Sequence, residues 1–377
     1  MTPLPISVVS TGDPLLRSTW SGTPSSICEH LRNLGRLGST INAEGGIPRP
    51  LMLLARAVSR ALYKGSQESS RGALPRKLRA WNVRRKLRVA GATHTLHIGT
   101  LHVPLGGSPN GQRHYLFCDA TWQSWLRNST SRHLYTARLI QDAERLERDA
   151  YSQMDHIFPI GKYVQRDLVG SYGVSPEKTT AVGTGRGAIQ PFSGEKDYSE
   201  ETILFVAKER FEDKGGDLLL KGFQIARERR NTLKLILAGD QRYVALAEQN
   251  PGVQALGYVS LAELQELFNR AALFALPAYN EPWGLVYLEA LSCKTPILGL
   301  DRNAFPELSQ YGGCGFSISD ISPEGVAKAL LDAFERPGLL REMGLCGQKY
   351  TLDNFTWEAT VRRMVDIIDA NAPVSTT

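Results

Sequence analysis

No apolar run in this sequence approaches the roughly 18–20 residues that a membrane-spanning helix needs, so none is expected. Cysteine is scarce: Cys28, Cys118, Cys293, Cys314 and Cys346 are scattered, odd in number and without CxxC spacing. That excludes a disulfide framework and a cysteine-based zinc site, and fits a reducing compartment. Met1 to Val9 lacks the charged leader and cleavage site of a secretory signal, which makes a cytoplasmic location the expectation. No GxGxxG opens a helix, which argues against a dehydrogenase. No nucleic-acid-binding motif occurs, so nucleic acid is not an expected partner. What remains is an ordinary soluble composition, 42% hydrophobic and 22% charged, with a mild net charge of +6. At 377 residues the chain suits two domains of about 150–200 residues each.

Short apolar runs alternate with helical patterns through most of the chain. Ile6–Ser10 reads as a first strand, followed by a polar loop and a helix from Pro24 to Leu37. Gly22, just before that helix, either lets a phosphate approach the backbone or makes an ordinary strand–helix turn. His94, His97 and His102 fall in an alternating stretch, which scatters them over both faces of a strand rather than gathering metal ligands. Tyr115 to Thr121 reads as a strand whose end presents Asp119 and Thr121, either to a substrate or in a turn. Thr180–Gly183 reads as a strand. The glycines of Gly183-Thr184-Gly185-Arg186-Gly187 are not followed by a helix and read as a hinge. A second alternating run follows: strands at Thr202–Ala207, Leu233–Asp240, Val253–Tyr258, Ala272–Pro277 and Thr295–Leu300, and a helix at Leu261–Arg270 capped by Ser260. Alternation of this kind implies parallel, doubly wound sheets. The expected domains are residues 1–188 and 189–356. A helix near 357–377 is expected to pack back on the first, with a loose tail after Pro373.

Pro48–Arg88 carries twelve cations against one acid, Glu68. Leu51, Leu54, Val58 and Leu62 form an apolar stripe there, with Arg56, Arg60 and Lys64 mostly off it. Such a helix either packs its apolar face on its own domain or lies on an anionic membrane surface.

The most informative stretch is Asn280-Glu281-Pro282-Trp283-Gly284-Leu285-Val286-Tyr287-Leu288-Glu289. It reads as a loop after a strand, leading into a helix that begins near Leu285. Glu281 falls in the loop and Glu289 in the helix. Ligands of open α/β sheets bind in such loops, and a helix N-terminus favours anions. The loop Lys208–Gly216 also follows a strand and precedes a helix, so its cations either hold a diphosphate or form a solvated surface run. Two acids could form a glycosidase pair, which needs carboxyls about 5–9.5 Å apart, whereas eight helical residues rise about 12 Å. Alternatively, each carboxylate accepts hydrogen bonds from paired hydroxyls of a different sugar. With cations between them, the ligand becomes sugar–diphosphate–ribose, a nucleotide sugar.

This stretch resembles the E-x7-E motif of retaining GT-B glycosyltransferases of the family 4 type. Leu204–Ala207, Lys214–Leu220, Leu237–Asp240, Leu256–Val259 and Ala290–Ile297 occur in that family's order, covering about Tyr151 to Phe316 well and the earlier chain less. Trp20–Pro24 is similar to the N-terminal glycine loop of one branch. The resemblance implies an α/β fold of the GT-B kind, with two Rossmann-like doubly wound domains facing each other across a cleft. It also implies roles by position. Glu281 would bind the donor sugar, with backbone N–H groups of Trp283, Gly284 and Leu285 nearby. Glu289 would hold the ribose, Lys214 the diphosphate, and Gly22 and Tyr258 would lie on the donor side. The family usually has Arg or Lys five residues before that lysine; here the position is Glu209, and Lys208 or Arg210 beside it would serve. Where many relatives place a histidine beside the sugar, this chain holds Asp119 and Thr121.

The implied activity is metal-independent, retaining transfer of a sugar from a nucleotide-diphosphate sugar to a saccharide or lipid-linked acceptor. No cofactor or metal is implied. It would serve glycan, glycolipid or polysaccharide synthesis, with peripheral contact to the inner face of an anionic membrane through residues 48–88. The alternatives are a sugar-nucleotide epimerase on the same fold and a non-catalytic carbohydrate- or membrane-binding protein.

Overall fold

The computed structural model describes residues 4–104 and 111–371. The tail after Pro373 lies outside the described residues. The chain divides into two compact units. One runs through Arg127, resumes over Ser131–Thr184 and takes up the chain again from Trp357; the other comprises Asn128–Thr130 and Gly185–Thr356.

The first unit holds a parallel sheet of β1 (Ile6–Ser10), β2 (Leu37–Asn42), β3 (His94–Ile98), β4 (Arg113–Cys118) and β5 (His156–Pro159), in the order β2-β1-β3-β4-β5. Every residue of β1, β3 and β5 is buried, as parallel strands covered on both faces require. The expected first helix spans Thr23–Asn33 and stops short of Leu37. Gly35, at φ +67°, turns the chain into β2 instead. The strand expected at Thr180–Gly183 does not form. Thr180 N donates to Ile157 O (3.1 Å) and Val182 N to Pro159 O (3.0 Å), but only an isolated bridge results. Pro159 has no N–H to return to the Thr180 carbonyl, and that missing bond leaves the ladder incomplete. The final helix, Trp357–Ala370, packs in this unit against Thr23–Asn33. Asp369 takes both arms of buried Arg36 (2.7 and 2.8 Å), and Arg363 donates to Val182 O (2.9 Å).

The second unit holds β6 (Thr202–Ala207), β7 (Lys234–Gly239), β8 (Val253–Gly257), β9 (Leu273–Ala275), β10 (Ile297–Leu300) and β11 (Gly315–Ile318), all parallel, in the order β11-β10-β9-β6-β7-β8. Its core centres on Phe205, Phe223, Phe268 and Phe274. Helix Leu261–Arg270 begins with a full capping box, Ser260 Oγ accepting from Glu263 N (3.2 Å) and Glu263 accepting from Ser260 N (2.7 Å).

The strand order in each sheet reverses direction once, between β1 and β3 and between β6 and β9. Those are the topological switch points, where loops at the strands' carboxyl ends diverge and leave room for a ligand.

Candidate active site

In the second unit, the loops after β6 and β9 diverge from adjacent strands. They are stitched together by backbone. Tyr279 N donates to Asp213 O (2.9 Å), and a Cβ on Gly215 would lie 2.0 Å from Pro277 O. Gly215 also has φ +75°, so only glycine lets the two loops approach this closely. The approach brings Lys214 Nζ onto a carboxylate oxygen of Glu281 in an ion pair, with both side chains largely buried. Burial pushes the Lys214 ammonium down to about 8, helped by the Arg210 guanidinium and opposed by Asp213. The touching Glu281 carboxylate acts in the same direction as Asp213.

Gly284, at φ +83°, turns the β9 loop into helix Leu285–Ser292 without a side-chain cap. Gly215 does the same for helix Gly216–Arg229. Two helix N-termini that lack capping side chains therefore flank Lys214 and Glu281, and their N–H groups and dipoles favour an anion. Trp283 is buried, its ring edge-on to Phe355 at 6.0 Å. Tyr287 fixes the helix by donating to Leu276 O (2.5 Å).

Glu289 sits within this helix and accepts from Ala188 N (2.9 Å). A Cβ on Gly187 would lie 1.9 Å from the Glu289 carboxylate, so glycine is what admits the acid there. Burial raises the Glu289 carboxyl above the usual range, while the N–H groups of Ala188 and Ile189 and the charge of Lys208 hold it down. Lys208 is exposed, and its carbonyl accepts from Tyr258 OH (3.3 Å). Arg210 stands at φ +61° and pairs with Asp213 (2.8 Å), which Thr130 also contacts. The exposed Tyr258 follows Gly257, which abuts the Gln241 side chain. Lys208, Arg210, Lys214, Tyr258, Glu281, Trp283, Gly284 and Leu285 thus lie in the loops and helix start that follow β6, β8 and β9, and Glu289 lies a turn further into the helix after β9.

In the first unit, Gly22 has φ +84° and caps helix Thr23–Asn33 after a left-handed turn at Trp20 and Ser21. The Trp20 ring lies 2.7 Å from where a Cβ on Gly99 would be, so this loop covers the switch point of the first sheet. Asp119 is half-buried just past β4, with its carboxyl raised to about 6 by burial against the pull of backbone N–H groups and Arg71. Thr121 is fully buried. Its hydroxyl donates to Asp167 and accepts from Ser124 N (3.0 Å), so it anchors helix Trp122–Asn128 and does not face outward.

The histidines hold a surprise. His97 Nε2 lies 2.9 Å from His114 Nδ1, and the His97 ring is 5.3 Å from that of His102, whose Nδ1 is 3.3 Å from Thr11 Oγ1. The expected scatter over two faces holds for His94, which stacks on Tyr115 (ring centroids 6.2 Å apart) on the face away from His97; His97 instead gathers with His114 from β4 and His102 from the loop beyond β3. Burial and the nearby Arg79 and Arg76 push His102 down to about 3. Among the described residues, no group of three histidine, cysteine or acidic side chains is placed to hold a metal.

Residues 189–350 match the family model described as glycosyl transferases group 1. The D-inositol 3-phosphate glycosyltransferase of Rhodococcus jostii (strain RHA1) is 22% identical over 259 residues, covering 63% of this chain and 54% of that protein. The protein of the same name from Streptomyces bingchenggensis is 29% identical over 105 residues, covering 28% and 23%. The chain spans about half the length of the first of these relatives. Among solved structures, sucrose-phosphate synthase from Thermosynechococcus elongatus superposes with a TM-score of 0.71 at 15% identity, covering 97% of this chain and 98% of that one. WaaG, a glycosyltransferase involved in lipopolysaccharide biosynthesis, gives 0.67 at 16%, covering 96% and 99%. Both likenesses speak to the fold. Residues 189–350 therefore match the glycosyl transferases group 1 family, and the chain has the α/β fold of the GT-B kind.

Proposed function

We propose that this protein is a retaining, metal-independent glycosyltransferase that moves a sugar from a nucleoside-diphosphate sugar to an acceptor hydroxyl. The observation that carries the reading is the Lys214–Glu281 pair between two helix N-termini without side-chain caps, at the switch point of the second sheet. Lys214 takes the diphosphate, Glu281 the hydroxyls of the donor sugar and Glu289 those of the ribose. Backbone N–H groups of Trp283, Gly284 and Leu285 meet the anion. Lys208 or Arg210 supplies the second cation. Tyr258 meets the base, Gly22 lies on the donor side, and Asp119 serves the acceptor or sugar.

In the reaction, the C1–oxygen bond to the diphosphate breaks and the acceptor oxygen bonds C1 from the same face, which retains the anomeric configuration. The departing phosphate accepts the acceptor's proton. Lys214 and its partner cation neutralise the charge that develops on the leaving oxygen. The acceptor is a saccharide or a lipid-linked sugar. The protein works in the cytoplasm, in peripheral contact with an anionic membrane through residues 48–88. The relatives named for an inositol phosphate are consistent with an anionic acceptor.

The test is a panel of nucleotide sugars, with mass-spectrometric detection of slow donor hydrolysis, which needs no acceptor. The expected result is release of free sugar and nucleoside diphosphate from at least one donor. An epimerised sugar nucleotide would identify an epimerase instead, and binding without turnover a non-catalytic carbohydrate-binding protein.

A further inference from the structure

Helix Arg49–Leu62 sits on its unit the opposite way from what its leucines suggest. Its buried residues are Met52 and Ser59, with Ala55 half-buried between them and Tyr63 buried just beyond. At about 100° per residue these fall on one narrow stripe. Leu53, Leu54, Ala57, Val58 and Ala61 occupy the opposite half, with Leu51 and Leu62 at its edge, and all are exposed; Leu53 is 63% and Leu54 60% accessible. On the same projection Arg49, Arg56 and Arg60 line one margin of this apolar band.

Neighbouring contacts explain the orientation. Ser59 Oγ donates to Ser69 O (2.5 Å), and Tyr63 OH donates to Asp142 (3.1 Å). A Cβ on Gly72 would lie 2.2 Å from the Tyr63 ring and 2.6 Å from Ser59 Oγ. The stripe of Met52, Ala55, Ser59 and Tyr63 is thus the one that docks, and the leucines are left outside.

We propose that this outward face is a membrane-docking surface whose leucines enter the interfacial region of an anionic bilayer, while Arg49, Arg60 and Lys64 meet lipid phosphates. Three features favour this occupant. The face is a convex helix carrying flexible aliphatic side chains, the form that inserts into a lipid interface. The segment is basic: Arg49, Arg60, Lys64, Lys77, Arg85 and Arg88 are exposed, Glu68 is the one acid in residues 48–88, and Glu44 beside the helix is taken up by Arg56 and Arg79. Two copies pairing face to face with their helices antiparallel, about a twofold axis perpendicular to the helix, would bring like-charged margins together. No helix among the described residues is long and apolar enough to cross a membrane, so docking would be peripheral.

The proposal deepens the membrane side of the functional reading, and its assay needs neither donor nor acceptor, so either idea can fail alone. Vesicle co-sedimentation compares pure phosphatidylcholine with phosphatidylcholine containing one-third phosphatidylglycerol, at low and high salt. Leu53→Asp/Leu54→Asp removes insertion, and Arg49→Glu/Arg60→Glu removes the charge. These side chains are exposed, so both variants should keep the wild-type circular dichroism and melting temperature.

The expected result is wild-type binding to anionic vesicles, weakened at least tenfold in each variant and by high salt. Three outcomes would overturn it: no wild-type binding to anionic vesicles; binding by the leucine variant at wild-type strength; or a vesicle-independent dimer that the leucine variant abolishes.

Discussion

Lys214 and Glu281, 67 positions apart, meet in an ion pair at the carboxyl edge of the second sheet. They meet because β6 and β9 are adjacent at the point where strand order reverses, and because Gly215 lets one loop rest on the Pro277 carbonyl of the other. Each charge occupies the other's binding capacity. A diphosphate at Lys214 and a sugar hydroxyl at Glu281 would each replace half of that pair.

Lys214→Ala and Glu281→Gln should each lower donor turnover by about 100-fold or more. The double variant should be little worse than the weaker single, since residues acting as a unit are not additive. Steady-state kinetics of donor hydrolysis measure this. Additive losses would mean the two residues act independently.

Gly215→Ala places a methyl group into the Pro277 carbonyl at a positive φ. Strain of this kind costs about 1–3 kcal/mol, to be read in urea unfolding. Turnover should fall as well, because the loop carrying Lys214 must shift.

Gly187→Ala crowds the Glu289 carboxylate. If Glu289 holds the ribose, the donor KM should rise about tenfold, with a smaller change in kcat, the pattern of lost uniform binding. An unchanged KM would remove Glu289 from the donor site.

Asp119 titrates near 6 in the folded chain, above its ordinary value of 3.8. Between those values the folded protein keeps a proton that the unfolded chain releases. The contribution to stability is therefore full below about 3.8 and lost as pH rises through about 6. Asp119→Asn does not titrate, so its melting temperature relative to wild type should rise between pH 4 and pH 7.

Glu147 is buried and accepts from Trp122 N (2.7 Å), Tyr151 OH (3.1 Å), Tyr172 OH (3.0 Å) and Thr100 Oγ1 (3.2 Å), with buried Arg76 nearby. Glu147→Ala strands four donors and leaves that cation without its acid, a loss of about 3–5 kcal/mol. Glu147→Gln keeps an acceptor oxygen and should lose less; denaturant midpoints compare the two.

Local chemistry was legible where it is self-contained. The Ser260 cap, strand Thr202–Ala207 and helix Leu285–Ser292 each depend on residues a few positions apart, and the structure has them as read. The E-x7-E spacing marked Glu281 and Glu289 because a loop and the helix after it are contiguous in sequence.

What escaped the sequence depended on distant partners. Thr121 could be placed at a strand's end, but its role as a buried anchor is set by Asp167, 46 positions away. His97, His102 and His114 gathered because two strands lie in register and a loop returns to them, while His94 faces the other side of its strand. Periodicity alone established that the leucines of Arg49–Leu62 share one face. Only the tertiary structure decided that the face turns outward, because inward packing is chosen by neighbours, here Gly72, Ser69 and Asp142, rather than by the helix itself.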